Sequence, residues 1–450
     1  MKCESVILAA GLGTRMRSRQ AKVIHPLGGR PLLQWTLEAC RQAAGRTPFV
    51  VVGPDAADVR AALEGQAHVV EQAERLGTGH ALLQAAPALQ GGAPLVLVVG
   101  ADMPLLRPET LRRLIERQAQ SGARLTLLSA RSDVSRGFGR VLRDADGRVR
   151  EVIEEAHATA EQLGVRELNT SVYCFQGDWL WQALPALPLS PKGEYYLTDL
   201  VARAAAEGGA DSLVVDDPDE IIGVNTREHL AEAEAALRRR INRGWMLAGV
   251  TLLDPATAYI GPEVQLAPDT VILPNTMLDG RTVVGEGCRL GPDTRIVDST
   301  LGRDCVVQAS LVEGATLGDG VDVGPFSHLR AGAQLMQGVH IGNFAEVKNS
   351  VLGPGVKMGH FSYVGDAAVG EQANIGAGTI TCNFNREGRK SRTEIGAGAF
   401  IGSDSLLVAP VRVGEQAVTG AGAVVTRDVP DHGLAVGMPA RVIRKLKDDG

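Results

Sequence analysis

The sequence predicts an α/β protein in which a half built on a mostly parallel β-sheet is followed by a half folded as a parallel β-helix. Two periodicities indicate this arrangement. Up to about residue 225, short apolar runs alternate with helix-forming stretches, a pattern typical of parallel α/β sheets that bind ligands beyond the carboxyl ends of their strands. From Ile260 onward, aliphatic residues recur every six positions, which is the period of a parallel β-helix.

Length and composition limit the classes of function. With 450 residues, of which 44% are apolar and 22% charged, the chain is long enough for two globular domains. A net charge of −6 argues against nucleic acid or a membrane surface as the main partner. No apolar run reaches the ~18 residues of a membrane-spanning helix, and the first apolar run ends at Gly11, too early for a signal peptide, so we expect a cytoplasmic protein. The six cysteines lack CxxC spacing, which predicts reduced, packed thiols rather than a zinc site or disulfides.

The first half contains the elements of an α/β sheet. Buried strands are predicted at Ser5–Ala9, Pro48–Val52, Leu95–Val99 and Leu125–Leu128. Helices are predicted between them at Ala56–Leu63, Glu109–Gln118 and Leu197–Glu207. A long run rich in Ala, Glu and Arg predicts a further helix over Thr226–Arg243, ended by Gly244. We therefore expect a first domain over residues 1–227, a helical linker over residues 228–248, and a β-helix domain over residues 249–450.

The hexapeptide repeat occupies the second half. Aliphatic residues at six-residue steps, with occasional five-residue steps, predict the side chains that stack inside the coil, and glycine often follows them at a corner. Only Thr419 in the series is not apolar. The series includes Ile260, Leu266, Ile272, Leu278, Val284, Leu290, Ile296, Leu301, Leu317, Val323, Leu329, Leu335, Ile341, Val347, Leu352, Ile395, Ile401, Leu407, Val413 and Thr419. The polar, basic segment Thr381–Glu394 interrupts the repeat and predicts a loop suited to ligand contacts.

A glycine-rich turn follows the first predicted strand. It reads Leu8-Ala9-Ala10-Gly11-Leu12-Gly13-Thr14-Arg15-Met16, with Lys22 shortly after. Small residues allow the backbone to approach a nucleotide, and Arg15 and Lys22 supply positive charge for a triphosphate. Such a turn is also compatible with a purely structural role, and it lacks the lysine–hydroxyl end of a P-loop.

Two oxygen-bearing side chains suggest a metal pair. Asp102 ends a buried apolar strand, and Asn225 lies in Gly223-Val224-Asn225-Thr226. Carboxylate and amide oxygens suit Mg²⁺ and leave other positions for phosphates and water. Each residue also has an ordinary structural interpretation, because Asp102 could cap a turn and Asn225 could form a capping box with Glu228.

Together these motifs resemble the sugar-nucleotide pyrophosphorylases, and nearly the whole chain resembles the bacterial bifunctional N-acetylglucosamine-1-phosphate uridyltransferase and glucosamine-1-phosphate N-acetyltransferase family. The resemblance implies a Rossmann-like nucleotidyltransferase domain and a left-handed β-helix. It implies that the first domain transfers uridylate from UTP to N-acetylglucosamine 1-phosphate and that the second acetylates glucosamine 1-phosphate from acetyl-coenzyme A. The product, UDP-N-acetylglucosamine, feeds peptidoglycan and lipopolysaccharide precursors. Mg²⁺ is the implied cofactor of the first reaction and acetyl-coenzyme A the co-substrate of the second.

The resemblance also assigns site residues in the first domain. Arg15 and Lys22 act on the leaving pyrophosphate, and Asp102 with Asn225 holds the metal. The implied nucleotide and sugar contacts are Leu8, Ala9, Ala10, Gly11, Lys22, Gln72, Gly77, Thr78, Gly100, Ala101, Asp102, Gly139, Glu154, Asn169 and Asn225. The family usually has an aromatic residue and a glycine where this chain has Gly100 and Ala101, and a lysine where it has Ala156.

In the second domain, polar residues stand where a plain coil needs none. Arg330 and Lys348 suit the phosphate of glucosamine 1-phosphate, and His360 suits the base that deprotonates its ammonium group, although a lone histidine on a coil is commonly a solvated surface residue. The family match implies that Arg330, Lys348, Tyr363 and Asn374 bind glucosamine phosphate. Acetyl-coenzyme A contacts are implied for Ala377, Asn383, Phe384, Ser403, Ala421, Met438 and Arg441. Phe384 replaces a frequent tyrosine and Met438 an arginine found in some members, with Arg441 and Arg444 near it in sequence.

Two other functions fit parts of these observations. One is a nucleotidyltransferase with a single activity whose β-helix only forms trimers, and the other is a scaffold without enzymatic activity. The set Arg330, Lys348 and His360 favours two activities, and the implied acetyltransferase residues are spread over several coils, which predicts a homotrimer with sites between neighbouring chains.

Overall fold

The computed structural model describes residues 2–445 and divides the chain into two compact units between Leu237 and Arg238. The first unit contains a β-sheet with α-helices packed against it. Helix α9 spans Arg227–Leu247 and includes the point of division. The second unit is otherwise built from short strands.

The strands of the first unit form one mixed sheet and a small hairpin. The strands are β1 (Cys3–Ala9), β2 (Pro26–Leu27), β3 (Arg30–Pro31), β4 (Phe49–Val52), β5 (His68–Glu71), β6 (Leu95–Gly100), β7 (Leu125–Arg131), β8 (Arg140–Arg143), β9 (Val149–Ile153), β10 (Glu167–Gln176) and β11 (Ala210–Val214). The main path runs β11-β7-β10-β6-β1-β4-β5, with the β8–β9 hairpin attached to β10 and the β2–β3 hairpin separate. All neighbours on this path are parallel except the two pairs made by β10. The mostly parallel sheet is confirmed, and β10 is an antiparallel strand that the sequence did not predict.

Helices cover both faces of this sheet. They are α1 (Leu32–Ala44), α2 (Ala57–Ala62), α3 (Thr78–Leu83), α4 (Ala86–Leu89), α5 (Pro108–Ser121), α6 (Ala160–Leu163), α7 (Gly177–Ala183) and α8 (Asp199–Glu207). Alternate residues of β1 belong to two different cores, Ile7 to one and Val6 to the other. Because successive side chains of a strand point to opposite faces, this division shows that both faces of the sheet are buried. Space for a ligand is therefore expected at the ends of the strands.

The long helix differs from its prediction at both ends. It continues through Gly244 to Leu247, so the predicted stop at Gly244 is wrong. A glycine inside a helix costs only about 1 kcal/mol, and Asn242 and Trp245 hold the chain on both sides of it: Asn242 is fully buried and donates to the carbonyls of Pro255 and Ala258, and Trp245 packs on the β-helix core. At the start, Thr226 accepts a hydrogen bond from the backbone N–H of His229, so Thr226 and not Asn225 caps the helix.

The second unit is the parallel β-helix predicted from the repeat, with three faces of stacked, parallel strands. Face 1 consists of Thr251–Leu252, Val271–Ile272, Arg289–Leu290, Val306–Val307, Asp322–Val323, His340–Ile341, Lys357–Met358, Asn374–Ile375, Phe400–Ile401, Val418–Thr419, Gly433–Gly437 and the antiparallel strand Ala440–Lys445. Face 2 consists of Tyr259–Ile260, Met277–Asp279, Arg295–Val297, Leu311–Glu313, His328–Leu329, Ala345–Lys348, Ser362–Gly365, Ile380–Cys382, Leu406–Val408 and Val424–Val425. Face 3 consists of Gln265–Leu266, Val283–Val284, Thr300–Leu301, Thr316–Leu317, Gln334–Leu335, Val351–Leu352, Ala367–Val369, Thr393–Ile395 and Val411–Val413.

The residues predicted to stack inside the coil are all buried. Thr419, the exception in the repeat, is satisfied there, because its hydroxyl lies 2.9 Å from that of Ser405 and accepts the backbone N–H of Gly402. The interrupting loop is shorter than predicted: Thr381 lies in a strand and Thr393 and Glu394 in the next, so only residues 383–392 leave the coil.

Candidate active sites

A cavity of about 660 Å³ opens at the carboxyl ends of β1 and β6. Most site residues predicted in the first half line it. These are Leu8, Ala9, Ala10, Gly11, Arg15, Lys22, Gln72, Gly77, Thr78, Gly100, Ala101, Asp102, Glu154 and Asn225. Their position agrees with the expectation that a parallel sheet binds its ligand beyond the carboxyl ends of its strands.

The glycine-rich turn after β1 places Lys22 in this cavity. Gly13 has a φ of 62°, in the left-handed region, and a Cβ built on it would lie 2.5 Å from Cβ of Lys22. Any larger residue would therefore be strained and would push Lys22 away. Arg15, one turn further, is exposed at the cavity wall.

Lys22 joins the two predicted metal ligands. Its Nζ donates to Oδ2 of Asp102 at 2.8 Å and to Oδ1 of Asn225 at 3.0 Å. The backbone N–H of Val224 donates to the carbonyl of Asp102 at 2.8 Å, which holds Asn225 beside the end of β6. Two oxygens thus converge on one cationic group, the arrangement that a hard divalent cation requires. Within residues 2–445 no cluster of three or more His, Cys, Asp or Glu side chains is placed to hold a metal, so a cation at this point would complete its coordination with ligand oxygens and water.

Gly100 precedes this pair at the end of β6. A Cβ built on it would lie 2.7 Å from Oδ1 of Asp102. A side chain at this position would therefore require the carboxylate to move, and the absence of one leaves this wall of the cavity open.

Another part of the cavity wall carries polar groups suited to a base and a sugar. Gln72 is buried, and its Nε2 donates to the carbonyl of Gly77 at 3.2 Å. The hydroxyl of Thr78 accepts the backbone N–H of Leu197 at 3.1 Å. Glu154 accepts a hydrogen bond from the hydroxyl of Thr198 at 3.0 Å, which fixes its carboxylate in the cavity.

Gly139 and Asn169 do not line the cavity, unlike the other predicted residues. Asn169 is 1% exposed and donates to the hydroxyl of Tyr173 at 2.8 Å, while its backbone N–H donates to the carbonyl of Gly139. An irregularity in the pairing of β10 between Asn169 and Val172 turns Thr170 and Ser171 toward the ligand space instead. The two predicted residues therefore lie behind the cavity wall, and Asn169 contacts the wall through Tyr173, which lines the cavity.

Two arginines of the cavity were not predicted. Arg75 donates from Nε to the carbonyl of Ala10 at 2.9 Å and so braces the glycine-rich turn. Its place two residues before Gly77 could have indicated it. Arg136 also lines the cavity and forms an ion pair with Glu232 of α9; its local sequence gives no comparable signal.

Three of the four residues predicted to bind a sugar phosphate lie along face 2 of the β-helix and the corner that follows it. Arg330 follows one strand of this face and Lys348 ends the next, while Glu346 and Tyr363 are register partners on adjacent strands. The guanidinium of Arg330 donates to Glu346 at 2.9 Å. Cationic groups are thus available at this edge for a phosphate. Asn374 lies on face 1.

Asp366 connects this cluster to the loop of residues 383–392. Its two carboxylate oxygens accept from the side-chain amides of Asn349 and Asn383, each at 2.6 Å. Burial alone would raise the pKa of Asp366, but these hydrogen bonds and the ammonium groups of Lys390 and Lys348 hold it below its ordinary value. The carboxylate therefore stays charged and anchors Asn383.

His360 and three predicted acetyl-coenzyme A residues lie along the other edge of face 2. His360, Ala377, Ser403 and Ala421 all follow face 1 strands and precede face 2 strands. Backbone hydrogen bonds from Asp404 to Ala377 and from Gly422 to Ser403 stack these corners on one another. His360 is exposed.

The remaining acetyl-coenzyme A residues are dispersed. Asn383 is buried beside Asp366, while Phe384 in the loop and Met438 near the end of the coil are 65% and 78% exposed. Arg441 lies on the exposed last strand. Within one chain, then, the candidate phosphate cluster and His360 are on opposite edges of face 2 and are not brought into one pocket.

Exposed aromatic residues share the corner of His360. Phe326, Phe344 and Phe361 are each more than half exposed, and the rings of Phe326 and Phe344 stack with centroids 5.4 Å apart. This row was not predicted as a feature of the sequence, although each phenylalanine stands four residues after the first residue of a face 1 strand.

The state of the cysteines and the length of the helices in residues 2–445 bear on disulfides and on membrane-spanning segments. Cys3, Cys40, Cys174, Cys288 and Cys305 are buried and Cys382 is half-buried, and all are free thiols. No helix in this range combines the length and apolar character needed to cross a bilayer.

Comparisons with known proteins match both halves. The family model of the MobA-like NTP transferase domain matches residues 5–169, and that of the GlmU-like C-terminal hexapeptide matches residues 288–371. A protein of Heliobacterium modesticaldum named bifunctional protein GlmU is 47% identical over 437 residues, covering 97% of this chain and 95% of its own. Proteins of the same name from Pelobacter propionicus and Carboxydothermus hydrogenoformans are 45% and 43% identical, each covering 98% of this chain and 97% and 98% of their own lengths.

Proposed function

The chain belongs to the family of bifunctional GlmU proteins, and from that premise we propose which of its residues carry each activity. The enzyme acetylates glucosamine 1-phosphate from acetyl-coenzyme A and transfers uridylate from UTP to the resulting N-acetylglucosamine 1-phosphate, which releases pyrophosphate. Its product, UDP-N-acetylglucosamine, supplies cell-wall precursors. We assign uridylyl transfer to residues 1–227 and acetyl transfer to residues 249–450, with residues 228–248 as a helical linker.

The observation that carries the first assignment is the meeting of Lys22, Asp102 and Asn225 in the cavity. Asp102 and Asn225 would hold Mg²⁺, which when bound neutralises phosphate charge and favours attack by the sugar phosphate. Arg15 and Lys22 bind the pyrophosphate that leaves. No protein nucleophile is required, because orientation and charge stabilisation are sufficient for nucleotidyl transfer.

The other cavity residues orient the two substrates. The turn Leu8–Gly11 approaches the nucleotide with its backbone, and Gln72 with Gly77 contacts the base. Glu154, fixed by the hydroxyl of Thr198, accepts hydrogen bonds from the sugar hydroxyls. Gly139 and Asn169 act through the wall they support, Asn169 by its hydrogen bond to Tyr173.

We assign acetyl transfer to residues on and next to faces 1 and 2 of the β-helix. Arg330 and Lys348 bind the phosphate of glucosamine 1-phosphate, Tyr363 and Asn374 contact the sugar, and His360 takes the proton from its ammonium group so that the free amine attacks the thioester. The thiolate of coenzyme A is the leaving group. Acetyl-coenzyme A lies along Ala377, Asn383, Phe384, Ser403, Ala421, Met438 and Arg441.

We further propose a homotrimer and a cytoplasmic location. His360 and the pair Arg330 and Lys348 lie at opposite edges of face 2, so a second copy is needed to bring the two sets together, and the exposed phenylalanine row offers apolar surface for such contacts. UTP and acetyl-coenzyme A, the two co-substrates, are cytoplasmic metabolites.

The decisive experiment uses the purified protein with glucosamine 1-phosphate, UTP and Mg²⁺, with and without acetyl-coenzyme A. UDP-N-acetylglucosamine formed only when acetyl-coenzyme A is present supports both assignments. Turnover of N-acetylglucosamine 1-phosphate without any acetylation of glucosamine 1-phosphate would instead identify a nucleotidyltransferase whose β-helix is a scaffold.

A further inference from the structure

Gln72 can present only one kind of group to a ligand. It is 2% exposed, follows β5 and lines the cavity. Its Nε2 donates to the carbonyl of Gly77 at 3.2 Å and lies 3.1 Å from Nδ1 of His80. A side-chain amide has two N–H bonds, so these two contacts use both. The side-chain oxygen accepts no hydrogen bond from residues 2–445 and is the atom left for a nucleotide.

His80 decides whether the amide keeps this orientation. Nδ1 can accept from Gln72 only when the imidazole proton is on Nε2, because a neutral imidazole has one donor and one acceptor. Nε2 of His80 lies 3.1 Å from the amide nitrogen of Gln84. Two amide nitrogens therefore face a neutral ring that has only one acceptor nitrogen. Gln84 is half-buried at the end of α3 and can turn its oxygen toward Nε2, whereas buried Gln72 has no solvent to replace a lost partner.

The second polar group at this wall is the backbone N–H of Gly77. It donates to no group among residues 2–445, and Gly77 lines the cavity next to Gln72. An acceptor beside a donor complements an edge in which a ring N–H stands next to a carbonyl. Uracil has this edge at N3, but cytosine has an unprotonated N3, whose lone pair would face the oxygen of Gln72.

We propose that His80 is a specificity-determining positioning residue: its Nδ1 holds the Gln72 amide with the oxygen toward the base, so that the site selects a pyrimidine with an N–H at position 3. The inference rests on the proposed uridylyl transfer and adds to it the residue that sets the choice between UTP and CTP. His80 itself does not touch the nucleotide. Without the His80 acceptor only the carbonyl of Gly77 orients the amide of Gln72, so the amide turns more readily and can then offer N–H groups to either base.

The test compares His80→Phe, which fills the same space without an acceptor, with His80→Asn, whose side-chain oxygen can replace Nδ1. The measurement is kcat/KM for UTP and for CTP with N-acetylglucosamine 1-phosphate, with acetyl transfer by the same protein as a check of folding. His80→Phe should reduce the ratio of kcat/KM for UTP to kcat/KM for CTP roughly tenfold or more. His80→Asn should keep most of the wild-type ratio. If His80→Phe has also lost acetyl transfer, His80→Ala takes its place.

A second pair of variants changes which ring nitrogen of His80 carries the proton, without replacing His80. Gln84→Glu can only accept from Nε2 and should keep the wild-type ratio, whereas Gln84→Lys can only donate to Nε2, which moves the proton to Nδ1 and should lower the ratio. An unchanged ratio in His80→Phe, equal effects of His80→Asn and His80→Phe, or a wild-type enzyme that does not discriminate would each overturn the role of His80. A wild-type enzyme that does not use UTP at all would instead refute the proposed uridylyl transfer.

Discussion

The ammonium group of Lys22 lies 2.8 Å from Oδ2 of Asp102, and only 12% of the Lys22 side chain and 28% of the Asp102 side chain are exposed. Asn225 accepts from the same ammonium group. The lysine therefore occupies the point between the two oxygens at which a divalent cation is expected. A cation can bind there only if Lys22 moves away, and the phosphates of a nucleotide offer the lysine another anionic partner.

Lys22→Met should therefore bind a divalent cation more tightly in the absence of nucleotide. Methionine keeps the length of the side chain but removes the charge that competes with the metal, so we expect a gain of roughly tenfold, the effect of one moderate charge interaction. Binding of Mn²⁺ followed by electron paramagnetic resonance measures this without catalysis. The same variant should bind UTP more weakly, and an Mn²⁺ affinity equal to or below that of the wild type would show that Lys22 does not compete.

Asp102→Asn should separate the two activities. The substitution keeps the shape of the side chain but removes a charged ligand, so uridylyl transfer should fall by roughly 100-fold or more. Acetyl transfer should be nearly unchanged, because Arg330, Lys348 and His360 lie in the other unit. Both rates are measured on the same preparation, and a parallel loss of the two in a folded protein would contradict separate sites.

Asp366→Asn should impair acetyl transfer alone. In the wild type the carboxylate accepts from both Asn349 and Asn383, and an amide in its place would turn one N–H group toward another N–H group. We expect a loss of roughly 10-fold in kcat/KM for acetyl-coenzyme A, because one of the two hydrogen bonds that anchor Asn383 and Asn349 is left unmade. Asp319→Asn, which breaks only an exposed pair with Arg303, is the matched control and should have little effect. Equal behaviour of the two variants would exclude an anchoring role for Asp366.

Much of this architecture could be predicted because it follows from local periodicity. The six-residue repeat identifies inward residues from Ile260 to Thr419 one by one, since each coil makes the same contacts as its neighbour. The strand followed by a glycine-rich turn likewise indicated Lys22, which lines the cavity. Features that depend on distant residues were harder to predict: Gly244 reads as a helix stop until the burial of Asn242 and the packing of Trp245 are known.

The candidate site shows the same limit. Asn225 had two plausible roles in the sequence, and only the hydrogen bond from His229 to Thr226 removes the capping role. His80 could not be connected with Gln72, because the contact depends on the angle at which α3 leaves the preceding loop. The irregularity of β10 that withdraws Asn169 from the cavity depends on the register with β7, which no local pattern encodes.

Glu167→Gln should destabilise the first unit in a pH-dependent way. Burial would raise the pKa of Glu167, but the hydrogen bonds from Arg143 and Ser129 outweigh it and lower the pKa below the ordinary value of 4.5. A carboxylate with a lowered pKa stabilises the fold above the unfolded value, and this contribution is lost as the pH falls through the folded value.

At neutral pH the loss should be roughly 1 to 3 kcal/mol, and the difference from wild type should shrink below about pH 4.5. Urea unfolding followed by tryptophan fluorescence measures it, with Trp35, Trp179 and Trp181 reporting on the first unit and Trp245 on the second. Asp146→Asn, an exposed residue 3.7 Å from Arg148, is the control. A deficit that is equally large in acid would mean that the charge of Glu167 does not contribute.

His360→Ala should lower the turnover of acetyl transfer more than it changes substrate binding. The ammonium group of glucosamine 1-phosphate must lose a proton before it attacks the thioester. His360 is an exposed imidazole in the row of corners that also contains Ala377 and Ser403, where the coenzyme is proposed to lie. Removal of a general base reduces kcat by roughly 100-fold or more, with modest changes in the Michaelis constants. Uridylyl transfer from ready-made N-acetylglucosamine 1-phosphate is the internal control and should persist. If kcat is retained and only the Michaelis constant rises, His360 binds the substrate and another group or solvent accepts the proton.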